Sequence, residues 1–245
     1  MTTAGNTSLK SAIERLYVVF GNYRPPIHPT YCSHCVKDDE DRVLRLKPLR
    51  ELNADQLVRY SWKAISLWGT VEQFKYLLPR LFETVALDKT GYTPEVLFKK
   101  PRLGGFNTWA NEEQAALNSY CEALWRYALA HHALGDALPS FPSIGDCLCS
   151  IAQIIDDLAP VLNVWDSDRT SAATRHLVDF AVENASHLRE KHKLSNSFWD
   201  ERPGQMQQVV DWFLTRDFAL VFDTTTKATT PWEFRDELTR AIVRR

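Results

Sequence analysis

Residues 108–132, TWANEEQAALNSYCEALWRYALAHH, form the longest helix that the sequence predicts. Apolar side chains recur along it every three or four residues, which places them on one helix face. These side chains are Trp109, Leu117, Tyr120, Cys121, Leu124, Tyr127 and Ala128. Gly135 ends the segment, since glycine readily adopts the conformation that closes a helix. A helix of this length is hard to leave unpacked, so we expect it to be a central element of the fold.

The helical period continues towards both ends of the chain, whereas the two-residue alternation of a half-buried strand is hard to find. A first helix is predicted over residues 8–23. Its inward face consists of Leu9, Ile13, Leu16, Tyr17 and Phe20. Asn53, Thr70 and Ser143 are the predicted N-caps of later helices, and the helix that Asn53 begins should end at Gly69.

The whole pattern predicts an all-α fold. Two helices over residues 203–222 and 231–243 complete a set of eight to ten. Because the connecting loops are mostly short, these helices should pack as antiparallel pairs, in either a compact bundle or a short α-solenoid. No regular repeat stands out, and we expect residues 1–245 to form a single helical domain.

Composition and charge exclude several classes of protein. The chain is 44% hydrophobic and 24% charged, which is ordinary for a globular protein and unlike a disordered or collagenous one. Lys and Arg number 29 against 31 Asp and Glu, so the formal net charge is −2. This balance gives no reason to expect a nucleic acid or an anionic membrane as partner.

The sequence also favours a cytoplasmic location. The first apolar run follows Glu14 and Arg15 instead of forming a signal-peptide core, and no apolar stretch is long enough to span a bilayer. Five cysteines are an odd number in a chain large enough to fold without disulfides, which favours reduced thiols.

The loop that carries His28, Cys32 and Cys35 is the candidate metal site. Two thiolates at the Cys-x-x-Cys spacing can bind one tetrahedral zinc ion from a tight turn, with His28 as third ligand and a distant histidine as fourth. The alternative is that both thiols are small buried hydrophobic groups that anchor a loop. A thioredoxin-like role is disfavoured, because that motif stands at a helix N-terminus after a strand.

Motifs for catalysis are scarce. The sequence contains no Gly-x-Ser-x-Gly, Walker or dinucleotide glycine motif, and neither Glu-x-x-His nor His-Glu-x-x-His. Glu83, Asp156 and Asp157 are carboxylates that folding could bring together for a metal-dependent reaction. Without such an assembly we expect a protein that is not an enzyme.

Four aromatic residues are candidate anchors of a protein interface. Phe106 and Trp109 follow the Gly104-Gly105 pair, and Phe198 and Trp199 lie in a polar segment, so both pairs are expected to be partly exposed. Other tryptophans, among them Trp62, are expected in the core.

The first third of the chain resembles a family of uncharacterised bacterial helical proteins. The resemblance covers roughly residues 9–87. Its segments are Leu16-Tyr17-x-x-Phe20-x-x-Tyr23, Cys32-x-x-Cys35, Pro48-Leu49-Arg50-Glu51-Leu52 with Leu57 and Tyr60, Trp68-Gly69 and Phe74-x-Tyr76-Leu77-Leu78-Pro79-Arg80-Leu81-x-Glu83. The resemblance implies a bacterial, cytoplasmic, helical protein. It carries over no activity and no site residue.

Two functional hypotheses follow from these observations. The first is a non-catalytic module that binds another protein, in its most concrete form an immunity protein or inhibitor that occludes a toxin or effector. The second is a zinc- or carboxylate-metal-dependent enzyme, or a structural zinc protein, built on the loop from His28 to Cys35.

Overall fold

Helices make up most of the protein in the computed structural model, which describes residues 3–28, 30–88 and 91–215. The α-helices are α1 (Thr3–Val19), α2 (Asp38–Leu46), α3 (Ala54–Lys63), α4 (Val71–Leu87), α5 (Pro94–Phe98), α6 (Lys100–Leu103), α7 (Asn111–Ala130), α8 (Leu134–Ala137), α9 (Ile144–Ala152), α10 (Ala159–Ser167), α11 (Ser171–Lys191) and α12 (Pro203–Leu214). Short 3-10 turns span Leu49–Glu51, Phe106–Thr108 and Ser197–Glu201. The described ranges contain no β-strand, only two isolated bridges, so the all-α prediction is confirmed.

Helix α7 is the centre of the fold, as its length predicts. The contact between α7 and α1 is the most extensive of all helix pairs in the described residues. Helix α7 also contacts α9, α10 and α11. Leu117, Leu124 and Trp125 of α7 are fully buried. Helices α1 and α7 are far apart in the sequence but in contact in the fold. In a solenoid each repeat contacts only the repeats next to it in the sequence, so this contact does not fit a solenoid. The arrangement is that of a compact helical bundle.

Helix α1 buries the face that its sequence predicts. Leu9, Ile13, Leu16 and Phe20 are all buried. The helix begins at Thr3 and ends at Val19, so both ends lie a few residues before the predicted bounds of 8–23. Glycine at position 21 weakens the predicted last turn, because it loses the most conformational freedom when it becomes helical.

A buried ion pair ties α1, α4 and α7 together. Lys75 of α4 donates to Glu113 of α7 at 2.6 Å and to the Tyr23 hydroxyl at 3.0 Å. Tyr23, just after α1, donates in turn to the other oxygen of Glu113 at 2.5 Å. The ammonium also lies 4.4 Å from the centre of the Trp109 ring. Opposite charges therefore compensate each other where the three helices meet.

The predicted N-caps are found at all three positions. The side-chain oxygens of Asn53, Thr70 and Ser143 accept hydrogen bonds from the backbone N–H groups three residues later, at 3.0, 3.3 and 3.1 Å. Each bond satisfies a donor that the first turn of a helix leaves without a partner.

Helix α3 differs from its prediction at its C-terminal end. It ends at Lys63 instead of Gly69, because Ile65 adopts a left-handed φ of 70° and its N–H donates to the carbonyl of Trp68. The chain therefore turns away from the helix axis. Trp62 lies within α3, on a different face from the buried Leu57 and Tyr60, and is 49% exposed. The expectation that Trp62 belongs to the core is wrong.

Helices α2 and α10 were not predicted as separate elements. Asp41 of α2 is buried, and its carboxylate accepts hydrogen bonds from the indole of Trp68 at 2.9 Å and from Arg45 at 2.6 Å. Four consecutive acidic residues make the start of α2 look like a polar loop in the sequence, although a carboxylate at a helix N-terminus is favourable.

The C-terminal predictions are covered only in part. Helix α12 confirms the beginning of the helix predicted over residues 203–222, and the remainder of that helix lies outside the described residues. The helix predicted over residues 231–243 lies outside them entirely. In the described ranges no helix combines the length and apolar character needed to cross a bilayer.

Candidate functional site

A polar cleft of about 490 Å³ opens where the start of α5, the start of α9, the middle of α11 and the loop before the 3-10 turn Ser197–Glu201 meet. Its described lining consists of Tyr92, Thr93, Pro94, Glu95, Ser140, Pro142, Asp146, Glu183, Ser195, Asn196, Ser197 and Phe198. Three of these residues are acidic, and none is a lysine, arginine or histidine.

Local sequence places two of the carboxylates at helix starts. Thr93 is the N-cap of α5, with Pro94 in the first helical position, so Glu95 lies in the first turn. Ser143 caps α9, and Asp146 is three residues further on. The Ser143 hydroxyl donates to Asp146 at 2.9 Å and accepts from the Asp146 backbone N–H. The cap therefore holds the Asp146 side chain in place.

Asn196 links the two carboxylates. Its amide nitrogen donates to Glu95 at 2.7 Å and to Asp146 at 2.8 Å. Its amide oxygen accepts from the backbone N–H of Phe198 at 2.9 Å. Both hydrogens of the amide and its oxygen are thus engaged, so the side chain has a fixed orientation.

Glu183 approaches the same place from α11. A Cβ atom at Gly145 would lie only 3.0 Å from a carboxylate oxygen of Glu183, so glycine at this position leaves room for the acid. The hydroxyls of Ser143 and Ser195 lie beside the Glu183 carboxylate and lower its pKa slightly, against the effect of burial. The Glu183 side chain keeps substantial contact with solvent.

The electrostatics of the cleft are one-sided. Glu95 is 4% exposed, and burial raises its pKa, as does the nearby charge of Asp146, although the hydrogen bond from Asn196 acts in the other direction. Partial loss of solvent also raises the pKa of Glu183, again with a contribution from Asp146. In the described lining no lysine, arginine or histidine opposes these two effects.

This arrangement is suited to an organic cation. Among residues 3–28, 30–88 and 91–215, no three or more His, Cys, Asp or Glu side chains are placed so that they could hold a metal ion. An ammonium or guanidinium group needs only hydrogen-bond distances to oxygens in several directions. Carboxylates and hydroxyls on different sides of the cleft supply such oxygens.

The loop predicted to bind a metal brings together two of its three candidate ligands. Cys32 and Cys35 are free, half-buried thiols whose sulfur atoms hydrogen-bond to each other, whereas His28 is exposed and does not complete a group of three. A hydrogen bond from the His34 backbone, together with that from Cys35, lowers the pKa of Cys32. The bond between the thiols raises the pKa of Cys35. Zinc binding by this loop stays a prediction.

The four aromatic candidates are less exposed than expected. Trp109 is 5% exposed and Trp199 is 2% exposed, so the expectation of exposed tryptophans is wrong. Trp109 packs among aromatic rings, and its indole N–H donates to the carbonyl of Gly104 at 2.8 Å. Phe106 and Phe198 are half-buried against the core, and Phe198 lines the cleft.

The three carboxylates predicted to assemble do not form one site. Glu83 pairs with Arg80 at 2.6 Å, and Asp156 pairs with Arg202 at 2.5 Å. Asp157 accepts a hydrogen bond from the backbone of Ala159. Each acid thus has its own local partner.

Sequence reasoning missed the acids that do assemble. Glu95 and Asp146 follow helix caps, where an acidic residue is expected for reasons of helix stability alone. Glu183 lies on a long helix with polar neighbours. No local spacing connects the three, since they come from three elements that are far apart in the chain.

Similarity to other proteins does not identify the chain. No protein-family model, no curated protein and no solved structure matches it. The resemblance of residues 9–87 to a bacterial helical family therefore stays a prediction.

Proposed function

We propose that this chain is a non-catalytic protein-binding module whose acidic cleft accepts a basic side chain of its partner. In its most concrete form it is a bacterial cytoplasmic immunity protein or inhibitor that occludes a toxin or effector. The observation that carries the proposal is the burial of Glu95 beside Asp146 with no lysine or arginine in the described lining of the cleft.

A basic side chain would offset the unfavourable burial of these acids. Removing a carboxylate from water is costly unless a positive charge or several hydrogen bonds replace the water. A guanidinium group presents five N–H donors in one plane and can bond to more than one carboxylate at once. Arginine is for the same reason enriched among the residues that dominate binding energy at protein interfaces.

The walls of the cleft fit the stem of such a side chain. Phe198 and Pro142 provide apolar surface beside the acids, and the methylene groups of arginine pack well on such surface. The volume of about 490 Å³ suits a side chain and part of its backbone better than a folded segment. An inhibitor of this type would act by burying an arginine that its target needs.

The first test measures binding of a small probe by the full chain. The probe is the peptide acetyl-Gly-Gly-Arg-Gly-Gly-amide, and its control replaces arginine by citrulline, which has a similar shape and no charge. We expect calorimetry to detect the arginine peptide only, with affinity that falls as salt is added. Equal binding of the two peptides, or binding of neither, would overturn the proposal.

Variants locate the binding in the cleft. Glu183→Gln removes one charge at the cleft and should weaken the arginine peptide about tenfold, the effect of losing one charged hydrogen bond. Glu122→Gln is the matched control, because Glu122 is an exposed residue of α7 paired with Arg126 outside the cleft. It should leave the affinity unchanged.

A third experiment tests the protein partner. Tagged parent and Glu183→Gln chains are cross-linked in the cells of origin, purified and analysed by mass spectrometry. A partner retained by the parent and lost from the variant supports a protein ligand. Arginine-peptide binding without any variant-sensitive partner would instead assign the cleft to a small cationic molecule.

A further inference from the structure

The loop that carries Cys32 and Cys35 holds their two thiols within hydrogen-bonding distance of each other. The carbonyl of Cys32 accepts hydrogen bonds from the backbone N–H groups of Cys35 at 2.9 Å and Val36 at 3.0 Å, which closes a tight turn. This turn points both side chains to one side, and the two sulfur atoms share a hydrogen bond. A disulfide between them requires no large movement of the backbone.

Backbone contacts hold this turn in place without help from the thiols. The N–H of Cys32 donates to the carbonyl of Leu67 at 3.0 Å, and the N–H of Gly69 donates to the carbonyl of Thr30 at 2.6 Å. The carbonyl of Cys35 accepts from the side chains of Arg59 and Lys63. The backbone therefore fixes the shape of the loop, and the packing of Cys35 against the core cluster adds to it.

The five cysteines divide into two classes by accessibility. Cys32 and Cys35 are half-buried, whereas the other three described thiols, Cys121, Cys147 and Cys149, are buried in the core. Only Cys35 of the pair packs against the core cluster. A small molecule therefore reaches Cys32 more easily, and Cys35 is placed to react second.

We propose that Cys32 and Cys35 are a redox-active pair that exchanges electrons with low-molecular-weight disulfides. This inference goes beyond the proposed binding function and is independent of the acidic cleft. It rests on the closed turn, the contact between the two sulfur atoms and the accessibility of Cys32.

The exchange proceeds in two balanced steps. Cys32 gives up its proton and attacks one sulfur of the small disulfide; a Cys32–S bond forms, the original S–S bond breaks, and the first thiol leaves. Cys35 then gives up its proton and attacks the sulfur of Cys32, which releases the second thiol and forms the Cys32–Cys35 disulfide. Two electrons pass from the protein to the small disulfide, and an excess of small thiol reverses both steps. The ammonium of Lys63 and the backbone N–H of His34 lie beside the pair and favour the thiolate.

The test uses glutathione disulfide and intact-protein mass spectrometry of the full chain. The reduced parent should lose about 2 Da without keeping an adduct, and peptide mapping should place the disulfide between Cys32 and Cys35. Cys35→Ser should accumulate a single glutathione adduct of about 305 Da on Cys32, because the second step is blocked. Cys32→Ser should react far more slowly.

A second measurement needs no variant. Brief treatment of the parent with iodoacetamide should label Cys32 ahead of every buried thiol, as read from peptide masses. A stable adduct on the parent, oxidation at any other cysteine, or labelling that does not favour Cys32 would overturn the proposal. So would stoichiometric binding of added Zn²⁺ that protects both thiols, since the pair would then be a metal site.

Discussion

Two regions of this molecule bury a carboxylate, and they do so in opposite ways. Glu113 lies between α1, α4 and α7 with Lys75 bonded to it, whereas Glu95 faces Asp146 across the cleft with only the neutral Asn196 between them. Burial raises the pKa of a carboxyl, and at Glu113 the hydrogen bonds from Lys75 and Tyr23 outweigh it, so that its pKa is lowered. At Glu95 burial prevails, and the pKa is raised.

The contrast separates structural acids from acids available to a ligand. Lys75 and Glu113 compensate each other's charge, so the removal of either one is costly and the pair needs no ligand from outside. The described lining of the cleft offers its acids no equivalent partner, so a cationic ligand could supply one. Stability measurements on single substitutions can distinguish the two situations.

Loss of Glu113 should have the largest effect. Glu113→Ala leaves the ammonium of Lys75 buried without a counter-charge, and we expect the free energy of unfolding to fall by about 3–5 kcal/mol. Urea denaturation measures this change. Glu112→Ala, at the exposed neighbouring acid, is the control and should change stability by less than about 0.5 kcal/mol. A similar small loss for both variants would contradict the role assigned to Glu113.

Glu95→Gln should change stability in the opposite direction. In the folded protein the pKa of Glu95 is raised above its ordinary value of 4.5, so the folded state binds the proton more tightly than the unfolded state. Stability is therefore lost as the pH rises through the folded-state pKa. Glutamine has no charge to lose stability by and still accepts the hydrogen bond from Asn196. The variant should therefore be more stable than the parent near pH 7, by about 1.4 kcal/mol for every pH unit by which folding raises the pKa of Glu95. Melting temperatures between pH 4 and pH 8 should show the advantage vanish towards low pH; a destabilised variant at pH 7 would contradict the prediction.

Glu183→Gln should act with the same sign and a smaller size. The pKa of Glu183 is raised by burial and by Asp146, but its side chain remains in contact with water, which screens the repulsion. We expect a gain of a few tenths of a kcal/mol near neutral pH. The same thermal series measures it, and added salt should reduce the gain further.

Glu122→Gln should have an effect as small as that of Glu183→Gln and of the opposite sign. Glu122 pairs with Arg126 one helical turn later on the exposed face of α7, at 2.9 Å. Such pairs contribute about 0.3–0.5 kcal/mol, so the variant should be slightly less stable than the parent at every pH where glutamate is ionised. A change as large as that of Glu95→Gln would contradict the prediction that exposed acids contribute less to stability than buried ones.

The sequence alone could predict those features of the fold that depend on residues close together in the chain. The apolar period of α1 and α7 and the N-caps at Asn53, Thr70 and Ser143 depend on neighbours within a few residues. The end of α3 at Lys63 could not be predicted in this way, because it depends on a left-handed Ile65 whose N–H donates to the carbonyl of Trp68.

The candidate site depends on contacts of another kind. Glu95 and Asn196 are 101 residues apart, and Asp146 and Asn196 are 50 residues apart. Helix packing decides whether a buried acid has a cation beside it, as Glu113 has, or has none among the described residues around it, as is the case for Glu95. In the sequence, an acid in the first turn of a helix looks the same whether or not the fold places a cation beside it.

The packing of α1 on α7 also sets the order of events during synthesis. Arg15 and Glu112 meet in the folded protein although 97 residues separate them. At about 5–20 residues per second, the ribosome needs on the order of 5–20 s to produce the partner of α1. During that time the apolar face of Leu9, Ile13 and Leu16 can contact α4 but lacks its most extensive partner, so nascent chains that stop before α7 are the ones that chaperones should hold.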